Sequence, residues 1–385
     1  MNVLYIVGGE GNKYGSEIIA INLIKAGVKN NINYTVICAH QGVVSEVCSK
    51  LDVKYYVVPF TFFVYKEMSV RTLDKIKRNI WLIKAEYLTT KACRFVESHV
   101  DIKSIDVIHT NLTRDLLGGI LSEKYQIPHL WHIQELFKAH YQLSFLKHNQ
   151  MEWMACHADR FAAISATVAR EWVENGLPEK KMSVIRNGID LNSIQPKTKY
   201  DDKEILKLVI VGHLVPAKGQ LAVIEKLSRL PANVKEHLYL DCIGEGSKEY
   251  VSSLRKLARE YQLHLKLHGY RNDVGQILKN YDIGLNCSRG EGFGLATVEY
   301  MAAGLCPVVS NTGANTEIIE NSRNGYVFDY QSETDLSDLI QFLYYNRADM
   351  IAIAKKARAD AVGSYSLEQM EKNVFHQYED LARNN

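Results

Sequence analysis

The chain has 385 residues, which is too long for one ordinary core and suits two domains. Hydrophobic residues make up 46% and charged residues 23%, with only 7 Pro, which excludes a disordered or collagen-like chain. The formal net charge of +2 gives no support to nucleic-acid binding, and seven scattered cysteines without a C-x-x-C pair point to reduced thiols in a cytoplasmic setting.

The N-terminal run Val3–Val7 lacks a basic leader and reads as a buried strand, so no signal peptide is expected. The most apolar stretch, Tyr55–Tyr65, is broken by Pro59 and is far short of the roughly 20 residues that cross a bilayer, so an integral membrane protein is not expected. Short apolar runs alternate with segments of helical period: Val3–Val7 then Ser16–Ala26, Tyr34–Ala39 then Ser45–Lys50, Val107–Thr110 then Asp115–Tyr125. With further strands at His129–Ile133, Arg160–Ile164 and Ser183–Ile185, this is the rhythm of an open α/β sheet.

Leu191–Glu204, with Pro196 and a charge cluster, reads as an exposed linker. The alternation then restarts with strands at Leu206–Val211, Leu238–Ile243, Leu265–His268, Ile283–Asn286, Pro307–Ser310 and Tyr326–Phe328, and with helices such as Glu249–Tyr261 and Leu295–Ala303. A last polar-faced helix, 366–385, is able to pack on either domain. The fold class is α/β with two Rossmann-like doubly wound domains, residues 1–190 and 191–365.

Chemistry concentrates in Cys287-Ser288-Arg289-Gly290-Glu291-Gly292-Phe293-Gly294-Leu295-Ala296-Thr297-Val298-Glu299, between a strand and a helix. Glycines at 290, 292 and 294 let a loop approach a ligand, and the helix start offers unpaired N–H groups to a phosphate. Glu299 lies within an otherwise apolar helix, where a carboxylate needs donors; ribose hydroxyls would supply two. A structural salt bridge is the plainer reading of either glutamate alone, but the pair with its glycine loop points to a site.

Glu291 and Glu299 reproduce an E-x7-E motif, and with it the chain resembles the large GT-B glycosyltransferase family 4 (glycosyl transferases group 1), whose members retain anomeric configuration. Asn187-Gly188-Ile189-Asp190, Val211-Gly212-His213-Leu214-Val215-Pro216-Ala217-Lys218-Gly219-Gln220, Gly244-Glu245-Gly246 and Gly304-Leu305-Cys306-Pro307 follow in the family's order. The resemblance implies an N-terminal acceptor domain facing a C-terminal nucleotide-sugar domain. It implies transfer of a hexose-type sugar to a glycan or lipid-linked acceptor in surface polysaccharide or glycolipid assembly. No cofactor or metal is expected; the donor is a nucleotide-diphosphate sugar, with a UDP-sugar favoured over a GDP-sugar.

Carried over residue by residue, the resemblance gives Glu291 the donor-sugar hydroxyls, Glu299 the ribose, and Lys218 with the amides of Phe293, Gly294 and Leu295 the diphosphate. His132 would reach the donor sugar near its reacting carbon; a core histidine is the alternative. His129 and His132 point to opposite strand faces, against a metal pair. Gly15 and Ser16, in the Gly-rich loop Gly8–Glu17 that does not fit G-x-G-x-x-G, would face the donor phosphate, and Asn111 the acceptor. Tyr270, Arg271 and Val274 would meet the nucleobase. His213 departs from the family's usual Arg after Gly212 and leaves its phosphate role open.

Glu291 also invites a double-displacement nucleophile reading, but the resemblance implies front-face displacement. Rivals are a sugar-nucleotide epimerase of the same architecture and a catalytically silent nucleotide-sugar-binding subunit. Residues 66–94 carry eight Lys or Arg (Lys66, Arg71, Lys75, Lys77, Arg78, Lys84, Lys91, Arg94), interleaved with Leu73, Ile76, Ile80, Trp81, Leu82 and Leu88. Two readings stand: peripheral contact with an anionic membrane, at the inner face of the cell membrane, or a solvated helix face.

Overall fold

The computed structural model describes residues 1–8, 15–66, 71–136, 143–200 and 204–383. It divides into two compact units, residues 1–187 with 370–385, and residues 188–369. Of the sequence features above, Gly9–Tyr14 of the first loop, Glu67, the side chains of Lys66, Arg71 and Leu73, Asp201–Lys203 and Asn384–Asn385 lie outside the described residues.

The first unit carries strands β1 (Asn2–Val7), β2 (Asn33–Cys38), β3 (Lys54–Val57), β4 (Val64–Lys66), β5 (Val107–Asn111), β6 (His129–Ile133), β7 (Leu143–Phe145), β8 (Arg160–Ala163) and β9 (Met182–Val184). Seven of them form a parallel sheet in the order β3-β2-β1-β5-β6-β8-β9. Parallel strands need cover on both faces, and Val3–Val7 and Val107–Asn111 are buried throughout. The direction of winding reverses between β1 and β5, where Val3 pairs with Val107 and Val7 with Asn111. In such sheets ligands bind beyond the strand C-termini at this reversal. An antiparallel pair, β4 with β7, was not foreseen.

The second unit carries β10 (Leu206–Val211), β11 (Leu238–Ile243), β12 (His264–Leu267), β13 (Ile283–Asn286), β14 (Cys306–Ser310) and β15 (Tyr326–Phe328). They are parallel in the order β12-β11-β10-β13-β14-β15, with the reversal between β10 and β13. Both units are Rossmann-like, as the alternating pattern implies.

Two expectations need correction. The stretch 191–200 is not a free linker but is strapped to the second unit. Gln195 N donates to Gly275 O, Lys197 N to Ala303 O, Lys197 Nζ to Asp282 Oδ1, and Tyr200 Oη to Gly304 O. The helix expected from Asp115 starts at Leu117, because the Asp115 side chain turns into the protein instead of facing solvent in a first turn. Residues Arg71–His99 form one long helix whose inner side is Ala85, Thr89, Ala92, Cys93 and Val96. The last helix, Leu367–Arg383, inserts Tyr378 fully into the first unit, where its hydroxyl lies 3.4 Å from that of Tyr34.

Candidate active site

In the second unit, two loops meet where the sheet reverses. The loop after β10 turns through Gly219, which has φ +73° and lies so close to the loop after β13 that a Cβ would stand 2.1 Å from the Cys287 carbonyl oxygen. Only glycine fits both demands. Arg289 N donates to Ala217 O across the same junction. This staple delivers Lys218 Nζ to Glu291 Oε2 at 3.0 Å.

Glu291 is further held by Ser288 Oγ at 3.1 Å and lies at the limit of hydrogen-bond reach, 3.5 Å, from Asn286 Nδ2. Asn286 itself donates to Thr297 Oγ1 and accepts from Ser288 Oγ, so the carboxylate is oriented by a closed network. Asn286, Ser288 and Thr297 escaped the sequence reading. Asn286 and Ser288 carried a signal as polar residues at and just past the end of an otherwise apolar strand, and Thr297 as a hydroxyl within an apolar helix.

The helix Leu295–Ala303 begins at Gly294 with no side-chain cap, so its first N–H groups remain available to an anion. Phe293 is buried with its ring 6.0 Å from that of Tyr365, which leaves only its backbone for a ligand. The helix is anchored by Tyr300. Its ring lies on Gly284, where a Cβ would stand 2.1 Å from Cγ, and its hydroxyl accepts from Val211 N at 2.7 Å.

One turn along, the Glu299 carboxyl makes no hydrogen bond or ion pair among the described residues. Burial pushes its pKa up to about 7, although the residue keeps some exposed surface.

His213 has an exposed side chain on a fixed backbone. Its carbonyl accepts from Gln220 Nε2 at 2.8 Å, while Gly212 N and Leu214 N donate to Ile243 O and Glu245 O. Tyr270 is exposed. Arg271 is engaged with Asp273, Nε to Oδ1 at 2.8 Å, and this bond holds the Asp273 carboxyl below the usual carboxylate range. Val274 opens the short helix Val274–Ile277.

The first unit gathers its own set at its reversal. Gly15 and Ser16 start the helix Gly15–Lys29, and Asn111 at the end of β5 donates to Ser16 O at 3.2 Å. Asn111 pairs in register with His132 on β6. His132 is fully buried with neither ring nitrogen hydrogen-bonded among the described residues, and burial pushes its pKa down to about 4. It is therefore a neutral imidazole near pH 7.

Two buried neighbours were missed. His109 stacks on His132 at 5.4 Å between ring centroids and on Tyr5 at 4.4 Å. Asp115 has a carboxyl oxygen 2.6 Å from where a Cβ on Gly8 would sit, and burial pushes its pKa up to about 8. A histidine inside a strand and an aspartate ahead of a helix carry no sequence mark of such burial. Among the described residues no group of three His, Cys, Asp or Glu could hold a metal, and no helix is long and apolar enough to cross a membrane.

Two family models cover adjoining halves: Glycosyltransferase Family 4 matches residues 14–193, and Glycosyl transferases group 1 matches residues 192–360. The chain belongs to the family 4 glycosyltransferases, of GT-B type. Among relatives of this glycosyltransferase is the UDP-Gal:alpha-D-GlcNAc-diphosphoundecaprenol alpha-1,3-galactosyltransferase of Escherichia coli, 25% identical over 83% of this chain and 86% of the relative. An uncharacterized glycosyltransferase of Methanocaldococcus jannaschii is 20% identical over 86% and 91%. The solved structure of Anabaena HepE, a complex with UDP and glucose, shares the fold with TM-score 0.78 and 18% identity over 99% of this chain and 100% of that one.

Proposed function

We infer that this glycosyltransferase moves a hexose-type sugar from a UDP-sugar to a glycan or lipid-linked acceptor, with retained anomeric configuration. The observation that carries the reading is the Lys218–Glu291 pair at 3.0 Å, set beside an uncapped helix start and the unpartnered carboxyl of Glu299. A sugar hydroxyl set would take over Glu291, a diphosphate would take over Lys218 and the helix N–H groups, and a ribose would supply the donors that Glu299 lacks. Lys218 and the helix start then stabilise the charge that grows on the departing diphosphate.

Departure of the nucleoside diphosphate and attack by the acceptor hydroxyl occur on the same face, with a phosphate oxygen taking the hydroxyl proton. The neutral His132 donates or accepts one hydrogen bond at the donor sugar, and Asn111 lines the acceptor side. Neither step calls on a divalent metal. UDP is favoured because HepE was solved with UDP and the E. coli relative is named for UDP-Gal. That relative's diphosphoundecaprenol acceptor supports a lipid-linked acceptor in surface polysaccharide assembly, at the cytoplasmic face of a membrane.

Calorimetry with UDP, GDP and ADP, followed by hydrolysis of the matching sugar nucleotide without acceptor, tests the reading. Tight UDP binding and slow hydrolysis that disappears in Glu291→Ala are expected. Binding with no turnover under any acceptor would instead indicate a silent nucleotide-sugar-binding subunit.

A further inference from the structure

The long helix Arg71–His99 carries a second apolar stripe on the side away from its core. Ile76, Ile80, Ile83 and Tyr87 recur at the helical spacing of four, three and four residues and are 54%, 61%, 68% and 61% exposed. At 1.5 Å per residue the stripe runs about 16 Å along the helix. Trp81 stands beside it, and Lys84 lies 5.4 Å from the Trp81 ring and Lys91 5.7 Å from the Tyr87 ring. Of the three acidic side chains on the helix, Asp74 accepts from Tyr65 and Glu97 pairs with Lys124, while Glu86 pairs with Lys147 inside the adjoining cleft, where Lys75, Arg78 and His148 outnumber it. Lys75, Lys77, Lys84 and Lys91 form no ion pair among the described residues.

Beside the stripe an open cleft of about 490 Å³ lies between the helix and residues 146–148, lined by Lys75, Arg78, Asn79, Glu86, Lys147 and His148 among others. Asn79 and Glu86 each adjoin a stripe residue in sequence, so cleft and stripe share the same helical turns. Arg78 is fixed there by donating from Nε to Leu146 O at 2.9 Å.

We propose that this face docks on a leaflet containing anionic phospholipid, with the Ile76–Tyr87 stripe among the acyl chains and the cationic cleft taking a lipid phosphate. Apolar side chains flanked by unneutralised lysines suit an interfacial helix. A second copy of this chain suits the stripe poorly, because pairing two such faces would bring the lysines together. The proposal deepens the lipid-linked reading above. Its assay contains no nucleotide sugar, so a failure of docking and a failure of transfer are separate results.

Flotation of the full chain with vesicles of phosphatidylcholine alone, or with phosphatidylglycerol added, provides the test. Binding to the anionic vesicles at low salt is expected, with little to the neutral ones. Ile80→Glu with Ile83→Glu, both at exposed positions, should lower binding at least tenfold. Lys75→Ala with Lys147→Ala should weaken it more than Lys77→Ala with Lys91→Ala, which removes the same charge outside the cleft. No binding to anionic vesicles, equal binding to neutral ones, or wild-type binding by the Glu variant overturns the docking face. Equal losses in the two lysine pairs overturn the cleft. A dimer in solution that the Glu variant dissolves assigns the stripe to a second copy and also overturns the proposal.

Discussion

Tyr378, on the last helix, places its hydroxyl 2.5 Å from His109 Nδ1 in the centre of the first unit, 269 residues away in sequence. His109 in turn stacks on His132, so the C-terminal helix supports the ring on which the candidate histidine rests. Tyr378→Phe keeps the ring and removes the partner, which leaves a fully buried imidazole nitrogen unsatisfied. The expected loss is about 1–3 kcal/mol of stability, read from urea unfolding of the variant against wild type. Unchanged stability would show that this hydroxyl supports nothing.

A second prediction concerns the Lys218–Glu291 pair. Lys218→Ala removes the ammonium that faces the leaving diphosphate and should lower turnover by about 10²–10³, the range for loss of one preorganised charge-stabilising donor. Glu291 keeps Ser288 as a donor, so the fold should hold and the melting temperature should move little. Steady-state rates with the donor identified by calorimetry check this. A variant with wild-type turnover would remove Lys218 from the mechanism.

These two cases mark what was legible in the sequence. Glu291 and Glu299 stood out because a glycine-flanked loop and a carboxylate inside an apolar helix are locally conspicuous, whereas Lys218 was picked out only through the family resemblance. The strands were legible for the same reason, since parallel strands buried on both faces are written as unbroken apolar runs such as Val3–Val7. His109, Asp115 and Asn286 were not legible. Their importance comes from neighbours that are distant in sequence, as with Tyr378 beside His109. The strap formed by residues 191–200 was misread because its Pro and charges resemble a linker, while Lys197 finds its partner in Asp282, 85 residues on. In the helix Arg71–His99, composition showed a basic amphipathic segment but not which apolar residues face out. Ile83 and Tyr87 emerged only from the packing.

Glu299 provides a test through pH. Burial raises its folded-state pKa to about 7, above the ordinary carboxyl value. The folded chain therefore binds this proton more tightly than the unfolded chain, and the group costs stability progressively as pH rises from about 4.5 to about 7. Glu299→Gln should remove that cost and stabilise the ligand-free protein by up to about 3 kcal/mol at pH 8, with much less gain at pH 5. Nucleotide binding should behave in the opposite sense. Ribose hydroxyls favour the ionised carboxylate, so UDP affinity should tighten as pH rises through 7, and the Gln variant should lose both affinity and this dependence. Calorimetry at pH 6 and pH 8 checks both effects. A wild-type UDP affinity that is flat across this range would show that Glu299 does not bind the ribose.

The last prediction isolates His213. Its backbone is pinned by bonds from Gly212 N to Ile243 O, from Leu214 N to Glu245 O and from Gln220 Nε2 to its own carbonyl, while its side chain is exposed. These three bonds use backbone atoms of residues 212–214 and do not depend on which side chain stands at 213. Arginine keeps its charge at every working pH and offers a planar set of donors that suits a phosphate. If residue 213 meets the diphosphate, His213→Arg should keep or raise turnover at pH 8. Steady-state rates of the variant and wild type at pH 8 decide the matter. A collapse of turnover at pH 8 would mean that the imidazole acts through its shape or its lone pair, and the phosphate contact would then have to come from Lys218 and the helix start alone.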